Sequence, residues 1–593
     1  MGIGLKNLLN PLDAVKYLFK KPHTIRLPYE PKVIANRYRG IHVNDWDLCV
    51  GCGNCARICT CQAITMVPVE GIEPKPGSTN LRPKVDYGKC SFCGQCVDVC
   101  PTGSLKLSKN FNLVSPNRED YVFIPSKEWD SGPGTGWESD LEYSILNFER
   151  VEMPERPPEE RKKDFEPVIL GFSREQAVVE GMRCLGCALC MDGCPTRMFI
   201  PQYIEAITDG DYEKSLKIFY VNNPLPEICG TVCTHRCEDA CVYSRRGQPV
   251  QIRYLKGFGA SRIDDRAKVL GKKIGTKRGR VAVIGAGPAG FTVSYYLRRE
   301  GFDVTIFEAL PVPGGMMKVG IPRYRLSQKI LDREIGFITS LGVEIKYNTR
   351  IGRDIKLSQL LKEFDAVFLG VGFHRGIKMG IPGEDGEGVM QAVDFLRKVN
   401  LGEEVKIGKR VLVVGGGDVA MDATRTPLRL GAEEVILSYR RREVDMPASE
   451  EEIKEAKEEG VIFMTQTLPI EVLRDSKGKV TGVKYVRTRM EDQGPGRRPR
   501  PVPIMEETFI FEVDTVIEAI GQEPDYSLIE EEIREKLTFD RNGKRVVVDE
   551  NGMTSVEGLF AGGDIVNYRG DIISAVADAV KAAKGIARYI EGK

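Results

Sequence analysis

Short unbroken apolar runs punctuate the chain, and two of them end in the same way. Val281–Ile284 (VAVI) has the composition of a strand buried on both faces of a parallel sheet. Glycines follow at 285, 287 and 290. The run Phe291–Glu300 then reads as a helix, and Asp303–Glu308 (DVTIFE) as a second strand ending in an acid. The pattern returns at Val411–Ala420 (VLVVGGGDVA), with Val435–Tyr439 as its second strand. A third apolar run, within Gly558–Asp564 (GLFAGGD), precedes a helix from about Ile573. No apolar run approaches the roughly 20 residues of a membrane span. Met1–Lys21 is amphipathic at most and Pro11 interrupts it, so it reads as a docking segment or a loosely held terminus and not a signal peptide.

The glycines turn this pattern into chemistry. In G-x-G-x-x-G, Gly285 allows a tight turn, Gly287 lets a pyrophosphate approach the backbone, and Gly290 lets helix pack on strand. The phosphates then meet the unpaired N–H groups of the helix N-terminus. Glu308, 23 residues beyond Gly285, is placed to accept a hydrogen bond from a ribose hydroxyl. The second copy reads Gly415, Gly417, Ala420, and the same step from Gly415 reaches Ser438, followed by Arg440, Arg441 and Arg442. An acid repels a 2′-phosphate and arginines bind one. The first site therefore suits FAD and the second NADPH; the plain alternative for the arginines is a solvated basic turn.

The cysteines add a second kind of cofactor. All 17 lie between Cys49 and Cys241. Cys49, Cys52, Cys55 and Cys59 are spaced C-x2-C-x2-C-x3-C, and Cys90, Cys93, Cys96 and Cys100 repeat the spacing before Pro101. This is the two-cluster ferredoxin pattern, in which the fourth thiolate of each run crosses to the other [4Fe–4S] cluster. It pairs Cys49, Cys52 and Cys55 with Cys100, and Cys90, Cys93 and Cys96 with Cys59. Zinc usually takes separated cysteine pairs. Cys61 is left over, and Thr60 stands where a proline is usual. Cys184, Cys187, Cys190 and Cys194 precede Pro195, and Cys229, Cys233, Cys237 and Cys241 recur every four residues, on one face if that stretch is helical. Thiols at such spacing suit the reducing cytoplasm better than a disulfide framework. A formal net charge of +1 offers no argument for nucleic acid.

Residues 171–593 resemble the small subunit of bacterial glutamate synthase, the large subunit of NADH-dependent ferredoxin:NADP oxidoreductase, and the N-terminal part of dihydropyrimidine dehydrogenase. The resemblance implies a two-dinucleotide-binding flavoprotein behind a helical domain with two more [4Fe–4S] clusters. One would take Cys184, Cys187, Cys190 and Cys241. The other would take Cys194, Cys233 and Cys237 with a Glu or Gln, but Lys256 stands at that place; a protonated lysine cannot ligate iron, and Cys229 is the candidate replacement. The resemblance further implies that Gly563 and Asp564 bind the FAD ribityl–pyrophosphate region, and that the helix at Ile573 points at the pyrimidine end of the flavin. Gly315 and Gly320–Leu326 (GIPRYRL) would run past the isoalloxazine, with Arg325 as a cation that could stabilise reduced flavin. The leader Leu27–Gly40 and the quartets after it resemble the eight-iron subunit of respiratory complex I, which implies docking onto partner subunits.

The expected fold is multidomain α/β. It comprises a docking segment (1–45), a 2×[4Fe–4S] ferredoxin-like domain (46–110), a linker (111–170), a helical iron–sulfur domain (171–275), and two Rossmann-like domains. The FAD domain is discontinuous (276–405 and 516–593), with the NADP(H) domain (406–515) inserted. No cysteine lies beyond 241 and the only histidine there is His374, which disfavours thiol-disulfide and hydrolytic chemistry. The expected function is an NADPH-dependent oxidoreductase passing electrons between NADPH, FAD and four clusters to or from ferredoxin or a partner subunit, with flavin-based bifurcation open. The alternatives are the NADPH-oxidising subunit of a glutamate synthase and a non-enzymatic wiring subunit.

Overall fold

The computed structural model describes residues 14–24, 26, 29, 33–127, 134–140, 144–272, 278–494 and 496–592. Residues 1–13 of the docking segment, and 27, 28 and 30–32 within Leu27–Gly40, lie outside the described residues. The chain forms two compact units, Met1–Leu146 and Asn147–Lys593.

In the first unit two three-stranded antiparallel sheets frame two short helices. One sheet joins His42–Asn44, Leu105–Ser108 and Thr135–Trp137; the other joins Ile64–Pro68, Leu81–Asp86 and Val122–Phe123. The helices Asn54–Ile58 and Gln95–Asp98 carry cysteines inward onto a core of Ile41, Ile64, Val85, Val97, Leu105 and Leu107. The linker expected at 111–170 is therefore not one. Its residues 122–123 and 135–137 complete these sheets, and Trp137 donates its Nε1–H to Asp98 (2.8 Å) while Arg37 and Arg39 cover its ring.

The rest of that stretch is built into the second unit. Val151 N–H donates to the buried Glu180, and Val168 N–H donates to the Tyr324 carbonyl. Arg161, 1% exposed, pairs with Glu155, Glu458 and Glu459. Charged residues in a Pro-rich stretch look like a solvated tether, but here Arg161 reaches Glu458 and Glu459, nearly 300 residues away.

Helices between Arg174 and Leu270 come next, close-packed where Gly230 meets Gly257; a Cβ on Gly230 would lie 2.3 Å from the Gly257 Cα. A five-stranded parallel sheet follows, ordered Leu559–Ala561, Ala366–Leu369, Arg280–Ile284, Asp303–Phe307, Glu344–Lys346. A second parallel sheet runs Val389–Gln391, Thr515–Ala519, Arg410–Gly415, Glu434–Tyr439, Ile462–Thr465. The first sheet is discontinuous in sequence, since Leu559–Ala561 pairs with Ala366–Leu369. The inserted domain is larger than 406–515, because Val389–Gln391 and Thr515–Ala519 both belong to its sheet. The chain passes between the two through an antiparallel pair, Arg375–Gly376 with Gln522–Glu523. Three antiparallel strands (Thr467–Arg474, Val480–Glu491, Arg500–Phe511) extend the second domain. Among the described residues no helix is long and apolar enough to cross a membrane.

Candidate electron-transfer sites

At the end of Arg280–Ile284 three glycine segments converge. Gly285 has φ +101°, and a Cβ there would meet the Gly370 carbonyl at 2.6 Å. A Cβ on Gly290 would strike the Gly285 carbonyl at 2.0 Å, so the helix Pro288–Glu300 lies directly on the turn. Gly315 closes on Gly287 from the other side, and Gly563 packs on Ala289 at the helix start. This leaves a backbone-lined cradle at a helix N-terminus, the arrangement that accepts a pyrophosphate. Glu308 is buried at its edge and accepts N–H groups from Ala286 (2.7 Å) and Leu310 (2.8 Å). Burial pushes its carboxyl up, and those backbone bonds oppose the shift. Burial likewise pushes Asp564 up to about 6, with Asp571 adding to it. Its carboxylate lies near Gly372, beside the cradle. Ile573 is buried in the first turn of the helix Ile572–Glu591.

The second site repeats the cradle. A Cβ on Gly415 would meet the Ala519 carbonyl at 2.3 Å, Gly417 is open, and Ala420 is wholly buried in the helix Asp418–Arg429. Ser438 is misplaced by counting. The first sheet pairs Ile284 with Phe307, whereas the second pairs Val414 with Ser438, so the position matching Glu308 is Tyr439. Ser438 is fully buried with its Oγ 3.2 Å from Thr467, and does not face the site. The arginines do follow the strand end. Arg440 is exposed, with no ion-pair partner among the described residues. Arg441 donates Nε–H to the Pro499 carbonyl (2.9 Å), and Arg442 is held by Asp445.

Arg325 is not a flavin-facing cation. Its guanidinium pairs with Asp422 and Glu452, both at 2.7 Å, in the helices of the second domain. Two carboxylates take up its charge, so its role is to join the two dinucleotide domains. Arg425 and Arg429 extend this joint, covering the Tyr324 ring at 4.8 and 3.8 Å.

The cysteine runs share one local fold. The residues before and after the second cysteine are left-handed in all three: Gly51 and Gly53, Phe92 and Gly94, Gly186 and Ala188. A short helix follows, and the third residue beyond the last cysteine is left-handed again (Gln62, Gly103, Arg197). In the first unit Cys49, Cys52, Cys55 and Cys100 line one cavity, and Cys59, Cys90, Cys93 and Cys96 another. These are the crossed sets. Four thiols around each cavity fit a [4Fe–4S] cluster in donor type and number. None of the 17 cysteines forms a disulfide.

In the second unit burial pushes the Cys190 thiol up, with Cys187, Cys184 and Cys241 as neighbours acting the same way. Cys237 is raised by burial and then by Glu238 and Cys233, with Lys256 opposing and Cys194 adding. Cys190 thus has Cys184, Cys187 and Cys241 as neighbours, and Cys237 has Cys194 and Cys233. Lys256 is 5% exposed; burial opposes its charge, but the surrounding Cys233, Cys229, Cys237 and Cys194 hold its ammonium above the ordinary value. Cys229, wholly buried, neighbours Lys256 and Cys233. The one-faced helical array does not form. The helix Pro226–Val232 stops before Cys233, and His235 (φ +38°) turns the chain into a new helix, Arg236–Asp239.

The family description pyridine nucleotide-disulphide oxidoreductase matches residues 279–583, half of the chain. This chain belongs to that family. Two further matches precede the oxidoreductase domain: a 4Fe-4S dicluster domain over 48–104, and dihydropyrimidine dehydrogenase domain II, 4Fe-4S cluster, over 161–267. The oxidoreductase is 41% identical over 458 residues to the NADPH-Fe(3+) oxidoreductase subunit beta of Geobacter sulfurreducens, covering 72% of this chain and 67% of that one. It is 36% identical to the glutamate synthase [NADPH] small chain of Escherichia coli, across 76% of this chain and 99% of that one. The putative oxidoreductase AegA of Escherichia coli is 32% identical over 584 residues, 91% of this chain and 86% of that one, so that likeness includes the first unit.

One joint in this oxidoreductase had no local sequence signal. Asp571 caps the helix Ile572–Glu591, accepting Ser574 N–H at 2.8 Å, and also accepts from Thr234 (3.2 Å) and Arg236. Thr234 and Arg236 lie between Cys233 and Cys237. The helix Ile572–Glu591 and a cysteine loop are thereby fastened at one carboxylate.

Proposed function

We propose that this oxidoreductase passes electrons between NADPH at the second dinucleotide site, FAD at the first, and four [4Fe–4S] clusters, two in each unit, on to a ferredoxin or a partner subunit in the reducing cytoplasm. The Asp571 joint supports this reading: it ties the helix Ile572–Glu591, which would face the flavin, to the loop holding Cys233 and Cys237. FAD, when bound, takes electrons as a hydride pair and releases them one at a time, which suits it to stand between a nicotinamide and one-electron centres. The chain's own residues do the rest. The Gly285–Gly290 turn with Gly315 and Asp564 would hold and orient the flavin nucleotide. The Gly415–Ala420 turn with Arg440 and Arg441 would grip NADPH through its phosphates. Arg325, Asp422 and Glu452 fix the two domains in register for the hydride to cross.

The cysteine sets would hold the wire. In the first unit these are Cys49, Cys52, Cys55 with Cys100, and Cys90, Cys93, Cys96 with Cys59. In the second they are Cys184, Cys187, Cys190 with Cys241, and Cys194, Cys233, Cys237 with Cys229. Lys256 would neutralise charge at the last. Anaerobically purified protein should contain one FAD and about sixteen irons per chain. About eight irons would overturn the four-cluster reading, and about twelve would mean that the site beside Lys256 holds none.

A further inference from the structure

His42 opens the strand His42–Asn44, is 1% exposed, and lines the cavity of Cys59, Cys90, Cys93 and Cys96. Its Nε2 lies 3.2 Å from Cys96 Sγ and its Nδ1 lies 3.1 Å from the Tyr87 hydroxyl. That hydroxyl already accepts the His42 backbone N–H at 2.9 Å. Its single proton is therefore directed at Nδ1, which leaves the neutral ring with its hydrogen on Nε2. A charged ring would carry a hydrogen there too. In either state Nε2–H points at the Cys96 sulfur. In the other cavity the matching cysteine is Cys55, third in its run as Cys96 is in the other; among the described residues its side-chain contact is the Met66 thioether at 4.0 Å.

An N–H directed at a ligating thiolate draws off electron density and favours the reduced cluster, so it raises the reduction potential. We propose that His42 is a potential-setting residue that raises the potential of the cluster held by Cys59, Cys90, Cys93 and Cys96, and so makes the two centres of the first unit unequal. The proposal rests on the cluster reading above. Tyr87 is its positioning residue, since the hydroxyl fixes which ring nitrogen faces the sulfur.

The test is an anaerobic redox titration of the full chain followed by electron paramagnetic resonance, with iron counted in every sample. In His42→Leu, one cluster should become harder to reduce by at least tenfold in its equilibrium constant, about 59 mV for a one-electron couple. The remaining clusters should not move, and His42→Gln, which retains an N–H, should recover at least half the shift. Unmoved potentials at full iron content would overturn the proposal while leaving the cluster reading intact. Iron near eight in the unaltered chain would instead overturn the cluster reading. Should His42→Leu lose iron, 15N-histidine labelling of the unaltered chain decides. A histidine nitrogen coupled to a reduced first-unit cluster, and lost in His42→Gln, supports the proposal; no coupling overturns it.

Discussion

Replacing Glu459 with Gln should loosen the joint that aligns the two dinucleotide domains. Glu459 is 1% exposed and accepts five N–H groups: Arg161 Nε (3.1 Å), Arg425 Nε and Nη2 (3.1 and 2.7 Å), and Arg429 Nη1 and Nη2 (2.6 and 3.0 Å). Burial alone would raise its carboxyl; the hydrogen bonds from Arg429 and Arg425 outweigh that and pull it down to about 2. A fall from the ordinary 4.5 to about 2 is worth about 3 kcal/mol. Because the folded carboxyl is the stronger acid, this stability is present above about pH 4.5 and lost as pH falls toward 2. In the variant Arg425 keeps Glu452 and Glu455, and Arg161 keeps Glu155 and Glu458. Among the described residues Arg429 keeps a hydrogen bond to the Arg425 carbonyl and its place over the Tyr324 ring but no carboxylate hydrogen bond, so the loss should not be absorbed.

Hydrogen exchange at pH 7 in peptides covering 418–429 and 450–459 should accelerate roughly a hundredfold, the equivalent of about 3 kcal/mol. Flavin reduction by NADPH should slow, since the same helix carries Asp422. Less than a fivefold acceleration, or an energy gap as large at pH 3 as at pH 7, would refute this account. Arg161→Met should be milder for the joint, because Glu459 keeps four of its five bonds, but should expose 153–170 to proteolysis.

Three further outcomes are expected. Arg440→Ser with Arg441→Ser should weaken NADPH binding about tenfold to a hundredfold through lost charge-assisted bonds while sparing NADH, measured as KM for each; equal use of both cofactors by the unaltered protein would contradict it. Cys229→Ser should remove about four irons and one paramagnetic signal, and unchanged spectra would make Cys229 a buried thiol. Deleting 1–146 should leave flavin and dye reduction by NADPH intact but abolish transfer to the natural acceptor. A full rate from the truncated chain would make the first unit a side branch.

The parts legible in the sequence are those whose constraint is local. Gly285, Gly290 and Gly415 are needed by a turn or a close helix contact a few residues away, and the quartets carry their left-handed positions within the motif. The crossed cysteine pairing was expected from the ferredoxin spacing, and in each of these runs a short helix separates the fourth cysteine from the first two. Ser438 failed because the connection to the second strand is one residue longer in the second domain, which counting from a glycine does not detect. Arg325 failed for another reason: its two carboxylates lie on helices about a hundred residues further on, and a cation in a flavin-like segment looks free until those helices are placed. The Arg161–Glu459 and His42–Cys96 contacts join residues 298 and 54 apart in the chain, with no periodicity or motif to announce them.

The central claim is that electrons from NADPH reach the iron–sulfur centres through the flavin. Anaerobic stopped-flow mixing of the purified chain with NADPH, read at the flavin absorbance and by rapid-freeze electron paramagnetic resonance, tests it directly. The account predicts flavin bleaching first, followed by reduced-cluster signals that do not form when the flavin has been removed. Cluster reduction at the same rate without flavin, or no bleaching at all with NADPH in excess, would contradict it.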